Sequence, residues 1–108
     1  MVDKLNKDNN NKLDQEQIKK LADGYFHCKV YSPYQTYFEG YVKSISAEND
    51  TGPFDILAHH HNFLTLLKPC EIVIRNIEDM PSDNEEVIKI ARAIMQVKPH
   101  EVVVFLDI

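Results

Sequence analysis

Turn-forming residues interrupt this chain repeatedly from residue 32 onward, and they leave only short segments between them. Pro33, Pro53, Pro69 and Pro99 mark four of these turns, because proline cannot donate a hydrogen bond to a strand ladder. The segments between the turns are rich in β-branched and aromatic residues, which pack well in strands. The sequence therefore predicts an all-β fold, an antiparallel β-sandwich or a flattened barrel of roughly seven to ten short strands.

Four segments have the composition or the alternation of strands, namely residues 26–32, 34–46, 71–75 and 102–106. In the first of them, Phe26, Cys28 and Val30 alternate with more polar neighbours, a period typical of a half-buried strand. The second contains Gly40, which we expect either to divide it into two strands or to mark a bulge. The polar residues 76–84 predict a loop.

The segment covering residues 85–97 is ambiguous. Ser82 and Glu85 have the spacing of a helix capping box, and apolar residues at helical spacing follow them, namely Val87, Ile88, Ala91, Ile94 and Met95. Residues 87–90 and 94–97 can instead be two short strands joined by a turn. Pattern and propensity alone favour the helix, and they leave both structures open.

The first part of the chain has a different composition. Residues 1–12 are mostly Asn, Lys and Asp, which bury little apolar area, and Leu13, Ile18 and Leu21 then recur at near-helical spacing before Gly24. We expect a polar N-terminal arm over residues 1–24, disordered or containing a short helix. The β-sandwich domain is then expected over residues 25–108.

Composition excludes several classes of protein. The net charge of −5 and the pI near 5.4 argue against nucleic-acid binding, which usually needs a clustered basic face. No apolar run approaches the length that spans a bilayer, and the N-terminus lacks the apolar core of a secretory signal. Cys28 and Cys70 are expected to be reduced thiols, which predicts a cytoplasmic protein. We also expect the isolated chain to be monomeric.

Two short apolar pieces, residues 54–57 and 63–67, flank His59, His60, His61 and Asn62, which we call the polar corner. We expect the chain to fold back across a small core here, with the polar corner outside as a surface. Adjacent residues of an extended chain point to opposite sides, so only His59 and His61 could converge on one metal ion. The remaining ligands would have to come from elsewhere in the chain, namely Cys28, Cys70, His27 or His100. A metal site is therefore the weaker reading of the corner, and contact with a partner protein is the favoured one.

The same stretch resembles a known family. It contains the spaced pattern Gly52-x-Phe54-x-Ile56-Leu57-x-x-His60-x-x-Phe63-Leu64-Thr65-x-Leu67-Lys68-Pro69. This pattern resembles, without a gap, the signature loop of the epsilon subunit of F-type ATP synthases. Residues 26–33, 37–42 and 94–104 resemble other strands of that family. Ala58, His59 and Cys70 depart from it, since the family has proline, glycine and glycine there.

The resemblance implies a ten-stranded β-sandwich and favours strands at residues 85–97, although this chain lacks the family's glycine turn there. It also implies a non-catalytic rotor subunit without a cofactor. Such a subunit fastens the gamma subunit to the ring of c subunits, so that proton translocation is coupled to ATP synthesis. The protein would then lie on the inner face of the plasma membrane without inserting into it. A stand-alone β-sandwich adaptor, or a metal-binding protein using residues 59–61, is the alternative.

Carried over position by position, the resemblance implies two interfaces. Ser32, His60 and Thr65 match positions that face gamma. The turn that matches the c-ring loop consists of Asp50, Thr51, Gly52, Pro53 and Phe54. The family usually continues into a C-terminal helical hairpin that regulates ATP hydrolysis, whereas this sequence stops at Ile108. If that length is natural, we expect coupling without inhibition by the hairpin.

Overall fold

A computed structural model describes residues 14–81 and 83–106 as one short helix and nine strands in two sheets. The helix is α1 (Gln15–Ala22). The strands are β1 (Phe26–Tyr31), β2 (Thr36–Val42), β3 (Ser44–Asn49), β4 (Gly52–Leu57), β5 (Phe63–Leu67), β6 (Cys70–Arg75), β7 (Glu85–Ile90), β8 (Ala93–Lys98) and β9 (Glu101–Leu106).

The two sheets form a sandwich. One has five strands in the order β2-β1-β9-β8-β5, and the other has four in the order β4-β3-β6-β7. In the described part of the chain no strand ladder joins the two sheets, so the sandwich is confirmed and the flattened barrel is not formed. The strand pairs of the described residues are antiparallel as predicted with one exception, because β1 and β9 run parallel. Parallel neighbours require a long connection, and here the rest of the domain supplies it.

The core lies between the sheets and follows the period of two along the strands. In β8, for example, Ala93, Met95 and Val97 are buried while the residues between them are exposed. β1 and β9 alternate in the same way, with Phe26, Cys28 and Val30 turned inward as predicted. Burial raises the pKa of the Cys28 thiol, which therefore packs as a small apolar side chain.

The ambiguous segment forms strands. Residues 85–90 pair with β6 and residues 93–98 pair with both β5 and β9. A helix would bury one face, but the neighbouring strands offer open backbone hydrogen-bonding groups on both sides of β8. Tertiary pairing therefore outweighs the helical spacing of the apolar residues.

The predicted break at Gly40 was wrong. β2 continues through Gly40, which pairs with Cys28, and the chain changes sheets at Lys43 instead. The irregularity in this ladder lies where Val30 pairs with Phe38 and Tyr31 with Thr36, so that Tyr37 of β2 is the extra residue. Gly40 therefore lies in a regular part of the strand, where a Cβ would make ordinary van der Waals contact with the Phe38 ring at 3.5 Å.

The N-terminal arm was expected to be disordered or to contain a short helix, and its described part contains the helix α1. Asp14 caps α1 by accepting a hydrogen bond from the Gln17 backbone N–H at 2.8 Å, and the Gln17 side chain accepts from Asp14 in return. Gly24, at a φ of 91°, ends the helical segment. Residues 1–13 lie outside the described residues, and the division of the chain near Gly24 stays a prediction.

Candidate partner-binding surfaces

A row of apolar side chains crosses the outer face of the five-stranded sheet. In the strand registers, Leu66 lies opposite Ile94, Ile94 opposite Phe105, and Phe105 opposite Tyr31. Residues directly opposite one another point to the same face, so these four form what we call the outer apolar row. The rings of Tyr31 and Phe105 meet edge to face at 5.1 Å, which agrees with that placement.

The outer apolar row is most exposed at its β5 end. Leu66 is 70% exposed and Leu64, two residues earlier on the same face, is 68% exposed. Beside them an open depression of about 390 Å³ is lined by Leu66, Leu67, Arg92, Ala93, Ile94 and Phe105. Because β5 is also the edge strand of its sheet, this surface offers both apolar area and free strand backbone to a partner.

Thr65 points the opposite way, toward the other sheet. Its hydroxyl accepts a hydrogen bond from the Asn49 side-chain amide at 3.0 Å. The Thr65 hydroxyl is therefore engaged in a hydrogen bond within the protein, whereas the side chains of the flanking Leu64 and Leu66 are exposed. The expectation that Thr65 faces gamma stays a prediction, and in the structure its hydroxyl is directed to Asn49.

The residues expected to face the c-ring form the end of the β3–β4 hairpin. Asp50 and Thr51 make a two-residue turn, and Gly52 begins β4 at a φ of 118°. The Asn49 carboxamide oxygen accepts hydrogen bonds from the Thr51 backbone N–H at 3.0 Å and from the Thr51 hydroxyl at 2.7 Å. The predicted turn is confirmed, but Pro53 is already in β4, opposite Glu48.

Three contacts fasten this hairpin to β5, and we call them the hairpin–β5 joint. The first is the Asn49–Thr65 hydrogen bond. The second links Lys68 to Glu48, through a backbone hydrogen bond of 3.1 Å and an ion pair of 3.8 Å. The third is the edge-to-face packing of the Phe54 and Phe63 rings at 6.3 Å. The hairpin therefore belongs to one sheet and is held by the edge strand of the other.

Ser32 lies at the end of β1, next to Tyr31 of the outer apolar row. It is 5% exposed, and its hydroxyl accepts hydrogen bonds from the backbone N–H groups of Tyr34 and Gln35, at 3.2 and 3.4 Å. These contacts shape the turn into β2. Ser32 and Thr65 thus lie near the two ends of the outer apolar row, and both use their hydroxyls internally.

His60 lies at the other end of β1 and is not fully outside, which corrects the expectation for the polar corner. Its ring packs edge to face on the buried Phe26 ring at 5.3 Å. Nδ1 donates to the Leu57 carbonyl, because a carbonyl oxygen can only accept a hydrogen bond. Nε2 of the same ring is buried and has no hydrogen-bond partner among the described residues. The other three residues of the polar corner are exposed.

The metal hypothesis finds no site in the described residues. Nowhere in residues 14–81 and 83–106 do three His, Cys, Asp or Glu side chains converge as ligands. Cys28 faces the core, and the His59 ring is bonded to the Leu21 carbonyl at 3.2 Å. His27 lies between Glu39 and Glu101, each 3.4 Å away, on the outer face of the sheet and away from the corner.

No helix of the described segments is both long enough and apolar enough to cross a membrane.

The amino-acid sequence alone did not predict the outer apolar row. Its members come from four strands, of which only β8 and β9 are consecutive in the chain, and the register brings them together. The one local signal was the apolar run Phe63-Leu64-Thr65-Leu66-Leu67, in which alternate residues would have to face outward.

Comparison with known proteins gives a consistent family. A profile of the ATP synthase delta/epsilon chain β-sandwich domain matches residues 25–108. The ATP synthase epsilon chain of Psychrobacter sp. (strain PRwf-1) is 34% identical over 80 residues, covering 74% of this chain and 55% of that protein. The epsilon chain of Thioalkalivibrio sulfidiphilus is 29% identical over 82 residues, covering 76% and 56%. The chain spans about half the length of these curated relatives.

Solved structures with a similar fold come from mitochondrial ATP synthases. A chain of the central stalk/c-ring structure of Tetrahymena thermophila superposes with a TM-score of 0.61, covering 75% of this chain and 62% of that one. A chain of the OSCP/F1/c-ring structure of Euglena gracilis gives 0.67, covering 76% and 50%. Both are 14% identical to this chain, so the likeness is one of fold.

Proposed function

The chain belongs to the ATP synthase delta/epsilon β-sandwich family, and from that premise we propose that it is a non-catalytic central-stalk subunit of an F-type ATP synthase. In this role it fastens the gamma subunit to the c-ring and carries torque between them. It works as a peripheral part of the membrane complex, on the cytoplasmic side. The observation that carries the proposal is the exposed outer apolar row on a domain of this family.

The outer apolar row supports a gamma-facing surface. The exposed Leu64 and Leu66 form an apolar contact at the β5 edge, and the row continues from there to Tyr31. With strands about 4.8 Å apart, four strands give a row about 14 Å long, enough for the apolar centre of a protein interface. Ser32 and Thr65 lie beside the two ends of this row and keep its flanking backbone in place.

The β3–β4 hairpin supports the c-ring contact. Its tip carries Asp50 and Thr51 outward, both exposed, while Asn49 fixes the turn from behind. The hairpin–β5 joint connects this tip to the strand that bears Leu64 and Leu66. A load applied at the hairpin therefore passes to the gamma-facing strand through short contacts rather than through a flexible linker.

A quantitative binding experiment tests the gamma contact. We expect the full chain to bind its own gamma subunit, and we expect Leu66→Lys to weaken that binding at least about tenfold, because a charge would be buried in an apolar contact. Leu66 is 70% exposed, so the variant keeps its fold. Val87→Lys is the matched control, since Val87 is 46% exposed on an edge strand of the other sheet.

Three outcomes count against the proposal. Absence of binding by the unmodified chain at micromolar concentration would favour the stand-alone adaptor. Equal loss in both lysine variants would mean that the outer apolar row has no special role. Unchanged binding in Leu66→Lys would mean that gamma contacts another surface of the domain.

A further inference from the structure

Helix α1 lies outside the family match, which begins at residue 25, yet it contacts the polar corner. We infer that α1 is a strap that holds the polar corner (residues 59–62) in its observed conformation, with the His59 ring as the link. This is a positioning role for a segment and a residue that the family pattern does not include. It is a property of the isolated chain and does not depend on the proposed partner.

The last turn of α1 is anchored to the sandwich. Leu21 packs against the hydrophobic core. The Lys20 ammonium forms an ion pair with the Glu78 carboxylate and lies 4.8 Å from the centre of the Tyr41 ring. The hydrogen bond to Glu78 raises the pKa of Lys20. The helix end is therefore fixed to β2 and to the β6–β7 loop before it reaches the corner.

His59 joins that fixed helix end to the corner. Its backbone has a φ of 66°, in the left-handed region that a residue with a Cβ adopts at a cost. Its Nε2 donates to the Leu21 carbonyl at 3.2 Å, which also accepts from the Gly24 backbone N–H at 3.0 Å. A glycine would adopt this φ freely but would carry no ring to reach the helix. The His59 side chain thus attaches the polar corner to the helix, which the backbone alone would not do.

The tether acts on the neighbouring residue, His60. That residue follows His59 directly, and its ring must keep its place against Phe26 while Nδ1 donates to the Leu57 carbonyl. When α1 holds His59, the chain between Leu57 and His60 has few other conformations available. Loss of the helix contact should therefore increase opening of the corner without unfolding the strands.

Backbone ¹⁵N NMR relaxation on the full chain tests this inference, because order parameters report the mobility of a loop directly. In both His59→Ala and Lys20→Ala we expect the order parameters of residues 60–62 to fall from about 0.85 to below about 0.6, while those of the core strand β9 are unchanged. Lys20 is bonded to Glu78, outside the corner, so an effect of its removal has to pass through α1. Lys19→Ala is the matched control, because Lys19 is an exposed lysine on the same turn of the helix.

The possible results separate cleanly. Order parameters at the corner that are unchanged in Lys20→Ala would overturn the strap. An equal fall in Lys19→Ala, or a fall that extends to β9, would also overturn it, because the effect would then be general destabilisation. A fall confined to the corner in His59→Ala and Lys20→Ala supports it.

Discussion

The β3–β4 hairpin and the polar corner both carry residues that the family resemblance assigns to partners, but they are held in different ways. The hairpin uses a two-residue turn, a glycine at a φ of 118° and the adjacent Asn49, so most of its geometry is determined by residues next to one another. The corner places His59, rather than glycine, at a φ of 66° and depends on a helix about forty residues earlier. The conformation of a local turn can thus be predicted from a few adjacent residues, whereas a turn held by a distant helix depends on the rest of the fold.

The largest effect is expected at the anchor of the polar corner. Phe26→Ala should lower the free energy of unfolding by about 3–5 kcal/mol, because Phe26 is 0% exposed and its ring supports His60. Urea unfolding followed by circular dichroism measures this. Phe54→Ala in the hairpin is the comparison, and it should cost less because Phe54 is only half-buried. An equal loss in both variants would contradict the difference in anchoring.

An intermediate effect is expected at the hairpin–β5 joint. Asn49→Ala should cost about 1–2 kcal/mol, because it removes the Thr51 turn contacts and the bond to Thr65. A double-mutant cycle with Thr65→Val should give a coupling energy of about 1 kcal/mol. The same cycle between Asn49 and Ser32, which share no contact in the described structure, should give almost none. Coupling near zero for Asn49 and Thr65 would mean that the hairpin is held without the joint.

The smallest effects are expected at two of the residues with positive φ, Gly52 and His59. Substitution should add backbone strain at Gly52 and relieve it at His59. Gly52→Ala should cost about 1 kcal/mol although a methyl group has room there, because a φ of 118° is strained for alanine. His59→Gly should change stability by less than about 0.5 kcal/mol, since relief of strain offsets the lost ring contact. Thermal unfolding of both variants checks this. A large loss in His59→Gly would show that the tether outweighs the strain.

The parts of the fold that could be predicted are those in which a local period or turn chemistry decides the structure. Phe26, Cys28 and Val30 face inward as their alternation indicates, and the Asp50-Thr51 turn lies where glycine and proline suggest. The prediction at Gly40 was wrong because glycine is compatible with a regular strand as well as with a break or a bulge, and pairing with Cys28 keeps Gly40 in the ladder. Residues 85–97 could not be decided alone, because both neighbours of β8 come from elsewhere in the chain.

The candidate surfaces were predicted to different extents for the same reason. The resemblance indicated β5 through Thr65 and the hairpin through Gly52, but it could not show that the Thr65 hydroxyl faces Asn49. Orientation and the outer apolar row both follow from the strand register. The contact between α1 and His59 was equally inaccessible, since no spacing rule links Leu21 to a residue so far along the chain.

The parallel pairing of β1 with β9 has a consequence for how the protein is made. It joins residues 27–31 to residues 101–105, so the centre of the five-stranded sheet is assembled from segments that a ribosome releases far apart in time. Until β9 emerges, β1 with β2 and β8 with β5 are separate pieces. The outer apolar row then exists only as disconnected parts. A partner that recognises the whole row consequently selects finished molecules over nascent ones.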